Sequence, residues 1–487
     1  MKRNAEISNE DFSIKFLGAA SGMVTGSLYR LNIGESRIVI DAGIFQGKND
    51  TVLPNGKSRN KSDIGAIKGV NDILLTHAHA DHVARLPLFY KKDAHPRTLA
   101  TTMTRELMEV ILYDSAKIQK EREKLYDGDE VARTLNFVEE VEFGKKKDIG
   151  NRHDNLSATW IYNGHIPGSA SILIEQGGKR NAVLFSGDIG KEINAICGGW
   201  GELPEARPEQ VPIKTLIVES TNFDRQSVNF DEKYGTFFAS INEVLDRGGS
   251  VVLPLLSMQR SQEVTEMIHH AQIRGDIPKN CPIIKDAPLA GKFEALYIEM
   301  ADQFMTRRFG NDENYYQDLD SSKKRFDLKN CRIIGGNKDS QAMSDSLVYR
   351  RSGSIVLTGG GMCGFGRVRN YIDRDFGKNP KNGVILTCYQ VEGTEGEEIT
   401  NQGRLVGING ELGATVSHLD VFSGHISGES DLFKFLDRFN LSELELINIV
   451  HGNNDNRNKM AEAIKERGYP GRIVLPEIGE EVHFSLT

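Results

Sequence analysis

The sequence predicts an α/β protein built in two unlike parts, and three observations predict it. Residues 13–40 alternate apolar and polar positions between glycines, the mark of antiparallel strands with one buried face. From about residue 230, short apolar runs alternate with helical stretches, the pattern of a parallel sheet crossed by helices. Four metal-capable side chains stand within six residues, His77-Ala78-His79-Ala80-Asp81-His82, directly after an apolar strand.

Size and composition bound the reading. At 487 residues the chain is too long for one ordinary core. Hydrophobic residues at 39% and charged residues at 26% give a globular balance and exclude a disordered chain. The net charge of −8 excludes a broadly basic nucleic-acid binder, so any polyanion must be held by a local cluster or by bound metal. Cys197, Cys281, Cys331, Cys363 and Cys388 are dispersed, with no C-x-x-C pair, which argues against a disulfide framework and a zinc knuckle. The N-terminal residues lack the apolar core of a signal peptide, and no run reaches the roughly 18 apolar residues of a membrane span. The expectation is a cytoplasmic protein with no membrane partner.

The elements follow in order. SIKFLG, GSLYRLNIG and SRIVID read as strands. The glycine-rich segment 18–27 lacks the Gly-Lys-Ser/Thr of a phosphate loop and reads as a tight hairpin turn. A strand over 72–76 leads into the histidine segment, and DHVARLPLFYK reads as a helix start. Residues 102–125 have helical spacing, and strands return in ATWIYN, SASILIEQ, NAVLFSGD and 215–219. The second part carries the apolar runs SVVLPLL, CPIIKD, GSIVLTGG and GVILTCY. The polar stretch 308–327 reads as a surface loop or linker. A strand (ELINIVH), a helix (NKMAEAIKER) and a strand (RIVLP) close the chain.

The histidine segment carries the chemistry. His77 and His79 are two apart at a strand end, so alternation puts them on one face. Asp81 and His82 follow as the chain turns. Imidazole and carboxylate suit zinc, and this set is enough to begin two sites. A polar strand-to-helix loop explains one histidine there, but not H-x-H-x-D-H.

That motif resembles the signature of metallo-β-lactamase-fold hydrolases. Asp41 in IDAGIFQG, His165 in GHIPGSASI and Asp188 in FSGDIG match the rest of that family's set, each at a strand end. Three further motifs resemble those of the β-CASP nucleases: Glu219 in VEST, His425 in FSGHIS and His451 in IVHGNND. RGGSVVLPLLSMQRSQE, DAPLA, GGGMCGFGR and VILTCYQVEGTEG resemble the β-CASP segments in order. The chain is similar to the RNA-processing branch, related to the pre-mRNA 3′-end cleavage endonuclease subunit and its bacterial and archaeal homologues.

The resemblance implies a metallo-β-lactamase αββα sandwich in two pieces, 1–222 and 422–487, with an inserted β-CASP α/β domain over 223–421. It implies two zinc ions: one on His77, His79 and His165, the other on Asp81, His82 and His451. Asp188 would bridge them and Asp41 would orient a ligand from behind. The implied activity is a ribonuclease acting on single-stranded RNA, as an endonuclease and in a second mode from the 5′ end. His425 would be the general acid, held by Glu219, with Asp81 and Asp188 completing the catalytic set. His451 points to RNA, because the DNA-repair branch generally lacks a histidine there. Ser423, Arg260 and Arg367 are candidate RNA contacts, with Lys285 and Arg369 beside the same segments. A homodimer is a candidate assembly. The rivals are a DNA-processing nuclease of the same family and a catalytically silent scaffold. A scaffold should have lost ligands, and this chain keeps all seven. PLLSMQR stands where the family carries PAFAVGR, a departure that leaves the metal residues untouched.

Overall fold

The computed structural model describes residues 12–47, 51–62, 65, 68–91, 96–121, 124–177, 182–192, 194, 196–200, 211–304, 324–348, 353–390, 393–406, 410–419 and 422–485. The chain forms two compact units, Met1–Ser227 with His425–Thr487, and Val228–Gly424. The boundaries read from sequence, 222/223 and 421/422, lie five and three residues before these divisions.

The first unit holds two seven-stranded sheets. One runs Glu481–His483, Phe12–Phe16, Tyr29–Ile33, Ser36–Ile40, Asp72–Leu74, Arg97–Thr101, Val138–Val141 from edge to edge. The other runs Arg472–Val474, Leu446–Val450, Ile213–Glu219, Ala182–Phe185, Ala170–Gln176, Leu156–Tyr162, Lys147–Ile149. Strand periodicity decides their packing. Alternate residues such as Phe16, Leu31, Ile40 and Leu74 meet Trp160, Ile172, Phe185, Ile217 and Val450 in one core between the sheets. The other faces of Ile213–Glu219 and Leu446–Val450 pack on helices Gly428–Leu436 and Asn454–Arg467. Helix Thr102–Glu121 lies against the first sheet at Arg97–Thr101 and Val138–Val141.

The second unit is a seven-stranded sheet in the order Cys331–Ile333, Ile283–Asp286, Ile355–Gly359, Val251–Leu255, Gly383–Leu386, Leu412–His418, Arg404–Val406. Every neighbouring pair is parallel except the last. Val252, Ile284, Val356 and Val384 from one face join Met343 and Leu347 of helix Asn337–Leu347. Helices cover the sheet, as parallel sheets require.

Most of the expected elements form, with corrections at their ends. The strand expected to Thr76 stops at Leu74, and of the helical pattern to 125 the helix Thr102–Glu121 forms, with Lys124 and Leu125 outside it. DHVARLPLFYK yields two short helices, Ala80–Val83 and Leu86–Phe89. The hairpin over 18–27 turns tightly at Ala20–Met23, with Ser21 at φ 56° and Gly22 at φ 82°, both left-handed as a type I′ turn demands. Of the polar stretch 308–327, residues up to 323 lie outside the described residues. Its end is not a surface loop: Arg325 is fully buried against Glu266, 3.2 Å away.

Candidate metal centre

The centre is built where strands of the first unit end. The loop after Ser36–Ile40 is laced to helix Ala80–Val83: the Ala42 N–H donates to the His82 carbonyl at 2.6 Å, and Ile44 to Ala80 at 3.1 Å. A side chain at Gly43 would put its Cβ 1.5 Å from the Asp81 carbonyl, so this approach requires glycine. Trp160 of the facing sheet donates from Nε1 to the Leu75 carbonyl at 3.0 Å and pins the segment before His77.

Seven expected side chains converge. The donor atoms of His77, His79, His165 and Asp188 lie within 4.8 Å of one another, as do those of Asp81, His82 and His451. In the first set His79 Nδ1 is 3.1 Å from both His77 Nε2 and His165 Nε2. Asp188 Oδ2 is 3.6 Å from His77 Nε2 and 3.8 Å from His165 Nε2. In the second set Asp188 Oδ1 lies 3.3 Å from His82 Nε2 and 3.5 Å from His451 Nε2. Asp81 Oδ2 lies 3.9 and 3.7 Å from the same two nitrogens. Donors about 2.0–2.1 Å from a tetrahedral zinc are roughly 3.3 Å apart, so both sets have the spacing of a coordination shell. Asp188 Oδ1 and His451 Nε2 are buried with no hydrogen-bond partner, which buried polar atoms rarely tolerate. The donor set therefore fits two divalent cations.

The surrounding bonds orient the rings. Asp41 Oδ2 accepts from His82 Nδ1 at 2.8 Å, which leaves His82 Nε2 its lone pair. Asp41 also accepts from the Thr76 N–H and hydroxyl, each at 2.8 Å. That fixes the Thr76 proton on Asp41, so its oxygen accepts from His77 Nδ1 at 3.1 Å. Asp41 and His451 both sit in left-handed backbone, at φ 59° and 48°. Such strain in a residue other than glycine costs on the order of 1–3 kcal/mol and concentrates at functional sites.

A second constellation stands at the rim. His425 Nδ1 is 3.0 Å from Glu219 Oε1, and its Nε2 is 3.9 Å from Asp188 Oδ2. Glu219 is 2% exposed and anchored by the N–H groups of Ile189 at 2.6 Å and Thr221 at 3.1 Å. Burial opposes a charge on His425, but the Glu219 and Asp188 carboxylates overcome it and hold its pKa up at about 9. His79, buried among other rings, falls to about 4.

The expected RNA contacts look different. Arg260 is no solvated surface charge. It is 8% exposed, paired with Glu263, and its guanidinium lies 4.9 Å over the Phe422 ring. Arg367 donates to the Gly335 carbonyl at 2.8 Å and to the Gly336 carbonyl. Ser423 is half-buried, two residues before His425. His418 donates from Nε2 to the Cys388 carbonyl at 3.0 Å. Sequence reasoning missed Thr76 and Thr221. A threonine beside a ligand carries no signal of its own, because its hydroxyl acts through a neighbour fixed only by the fold.

Comparison with known proteins agrees with the geometry. Residues 22–212 match the Metallo-beta-lactamase superfamily and residues 261–399 match the Beta-Casp domain. A ribonuclease of Thermus thermophilus is 29% identical over 469 residues, covering 95% of this chain and 98% of that protein. Cleavage and polyadenylation specificity factor subunit 3 of Dictyostelium discoideum is 24% identical over 416 residues, covering 83% of this chain and 49% of that one. A crystal structure of an Enterococcus faecalis protein of unknown function shares the fold, with a TM-score of 0.52 at 13% identity over 97% of this chain and 100% of that chain.

Proposed function

The chain belongs to the metallo-β-lactamase superfamily, in its β-CASP branch of RNA-processing nucleases, and on that premise we propose that it is a zinc-dependent ribonuclease acting on single-stranded RNA. It would cut internally and, in a second mode, from the 5′ end. One observation carries this reading: two donor sets of zinc-ligand spacing share Asp188, beside a histidine held by a buried carboxylate. His77, His79 and His165 would hold one zinc, and Asp81, His82 and His451 the other. Asp188 offers one oxygen to each set. Two such ions, when bound, supply Lewis acidity at the phosphate and make water a nucleophile near neutral pH.

The chain's own residues do the rest. His425 gives Nδ1 to Glu219 and turns Nε2 toward the donor set. Its raised pKa keeps a proton on Nε2 at neutral pH. That proton goes to the departing sugar oxygen, which otherwise leaves as a strong base. Glu219 keeps the ring in place and stabilises its cationic form. Asp41 and Thr76 hold His82 and His77 with their lone pairs inward. A reducing, cytoplasmic location belongs to the same proposal; five dispersed cysteines with no disulfide among the described residues support it.

The test uses the purified full chain. Zinc per chain is measured, and single-stranded RNA and DNA are offered to the wild type and to His425→Ala. About two zinc ions and cleavage of RNA are expected, with His425→Ala slowed by about 10²–10⁴-fold. Cleavage of DNA but not RNA would overturn the substrate. Full metal loading without cleavage of either would favour a silent scaffold. Sedimentation of the same protein tests the homodimer.

A further inference from the structure

Thr221 follows the acid-holding Glu219 by two residues, and its side chain reaches neither Glu219 nor His425. Its hydroxyl meets His451 instead. Thr221 Oγ1 is 2.9 Å from His451 Nδ1 and 2.9 Å from the His451 carbonyl oxygen. A threonine hydroxyl has one proton to donate, and a carbonyl oxygen only accepts. Both contacts are satisfied together in one arrangement: Oγ1 donates to the carbonyl and accepts from Nδ1–H. The proton is then on Nδ1 and the lone pair on Nε2. Nε2 is the atom with no hydrogen-bond partner, facing Asp188 Oδ1 at 3.5 Å and Asp81 Oδ2 at 3.7 Å.

The surrounding backbone makes Thr221 a fixed point. Strands Ile213–Glu219 and Leu446–Val450 are parallel neighbours, with Glu219 opposite Val450. Just past their ends, the Ser220 N–H donates to the His451 carbonyl at 3.3 Å, and Ser220 Oγ donates to the Val450 carbonyl at 3.1 Å. Asn456 donates from Nδ2 to the Thr221 carbonyl at 2.8 Å. A Cβ on Gly452 would stand 2.2 Å from Ser220 Oγ, so the two turns touch with no room between them. The Thr221 N–H meanwhile donates to Glu219 Oε2 at 3.1 Å.

We infer that Thr221 is a positioning residue that selects the Nδ1–H tautomer of His451 and thereby presents Nε2 to the second donor set. This rests on the reading of His451 as a metal ligand. The side chain acts on His451 alone. The bond to Glu219 comes from the main chain and survives any substitution except proline. The hydroxyl therefore governs metal retention, while the main-chain N–H helps hold the acid pair.

Zinc affinity tests this without RNA, so failure of the nuclease reading would leave the result interpretable. Competition with a chelating indicator is run on the wild type, Thr221→Val and Thr221→Ser. Thr221→Val keeps the shape and removes the hydroxyl. It is expected to weaken one of the two zinc sites by about 10–100-fold, the usual effect of losing a bond behind a metal ligand. Thr221→Ser keeps the hydroxyl and is expected to stay within a few-fold of wild type. Wild-type affinity in Thr221→Val overturns the inference, and so does equal loss in both variants, which would mean a packing role. Nitrogen-15 spectra of histidine-labelled wild type give a second reading, valid even if Thr221→Val does not fold. A protonated Nδ1 on His451 is expected; a protonated Nε2 with a bare Nδ1 overturns the assignment.

Discussion

The metal centre of the first unit and the cations beside the β-CASP segments of the second use their polar side chains in opposite ways. In the first, imidazole nitrogens and carboxylate oxygens face one another 3.1–3.9 Å apart, and folding leaves Asp188 Oδ1 and His451 Nε2 without hydrogen-bond partners. In the second, the cations beside the β-CASP segments are taken up by their own unit. Arg260 pairs with Glu263, Lys285 with Glu294 at 2.9 Å, and Arg369 with Glu395 at 2.6 Å and Asp373 at 2.7 Å. Arg367 gives two of its donors to backbone carbonyls. A charge satisfied within its own fold has little left for a ligand. Atoms left over in a buried cluster are the ones a ligand completes.

Asp188 is where this contrast can be broken most sharply. Its two oxygens serve both donor sets, so Asp188→Ala removes a donor from each. Zinc content should fall from about two per chain to one or fewer. RNA cleavage should drop at least about 10³-fold, the equivalent of several kcal/mol of lost transition-state stabilisation. A variant that keeps two zinc ions and a tenth of its activity would show that the centre is not shared through this carboxylate.

His425 comes next, because it touches the reaction without holding metal in this reading. His425→Ala should keep its zinc while losing activity, a split that no ligand substitution shows. The pH profile sharpens the point. The acid must carry its proton, so the rate is level below the His425 pKa and falls about tenfold per pH unit above it. Burial opposes the charge, and Glu219 then Asp188 raise the value to about 9; bound cations act against that rise. The alkaline limb therefore belongs at or below about pH 9, and Glu219→Gln should move it to lower pH. An alkaline limb unmoved in Glu219→Gln would remove the carboxylate from this role. Asp41→Asn should act more gently, weakening zinc binding by about 10–100-fold through the orientation of His82.

The metal centre was legible because its residues carry their chemistry in their identity. His77, His79, Asp81 and His82 announce themselves by clustering. Asp41, His165, Asp188, Glu219 and His451 were found only through the resemblance to metallo-β-lactamase and β-CASP motifs, which they match at or near the ends of apolar runs. The parallel sheet of the second unit was legible for a similar reason, since strands buried on both faces read as continuous apolar runs. The edge strands Cys331–Ile333 and Arg404–Val406 were not, being three residues long with too little pattern to count. Thr76 and Thr221 were not, because their partners are set by tertiary contact; Thr221 meets a residue 230 positions away. Nor was the state of the arginines. An arginine beside a polar stretch looks solvated in sequence, and Arg260 and Arg325 show that pairing can bury it.

The smallest expected effect tests the other side of the comparison. Arg367 was a candidate RNA contact, and its guanidinium joins Gly335 and Gly336 to the loop that carries it and lies 3.6 Å from Asp286 Oδ1. Asp286 is fully buried; its Oδ2 accepts from Ser340 and from the Tyr371 hydroxyl at 2.9 Å, while Oδ1 has no hydrogen-bond partner. Truncation in Arg367→Ala would remove both carbonyl bonds and leave that oxygen facing no cation, a loss of about 1–3 kcal/mol. For a unit of this size that is a melting point lower by several degrees. The KM for RNA should change by less than about threefold, because the side chain has few donors left for a phosphate. Thermal denaturation and RNA kinetics on one preparation separate the two roles. A wild-type melting point with a tenfold higher KM would place Arg367 on the substrate and undo the contrast between donor atoms left open at the metal centre and cations paired beside the β-CASP segments.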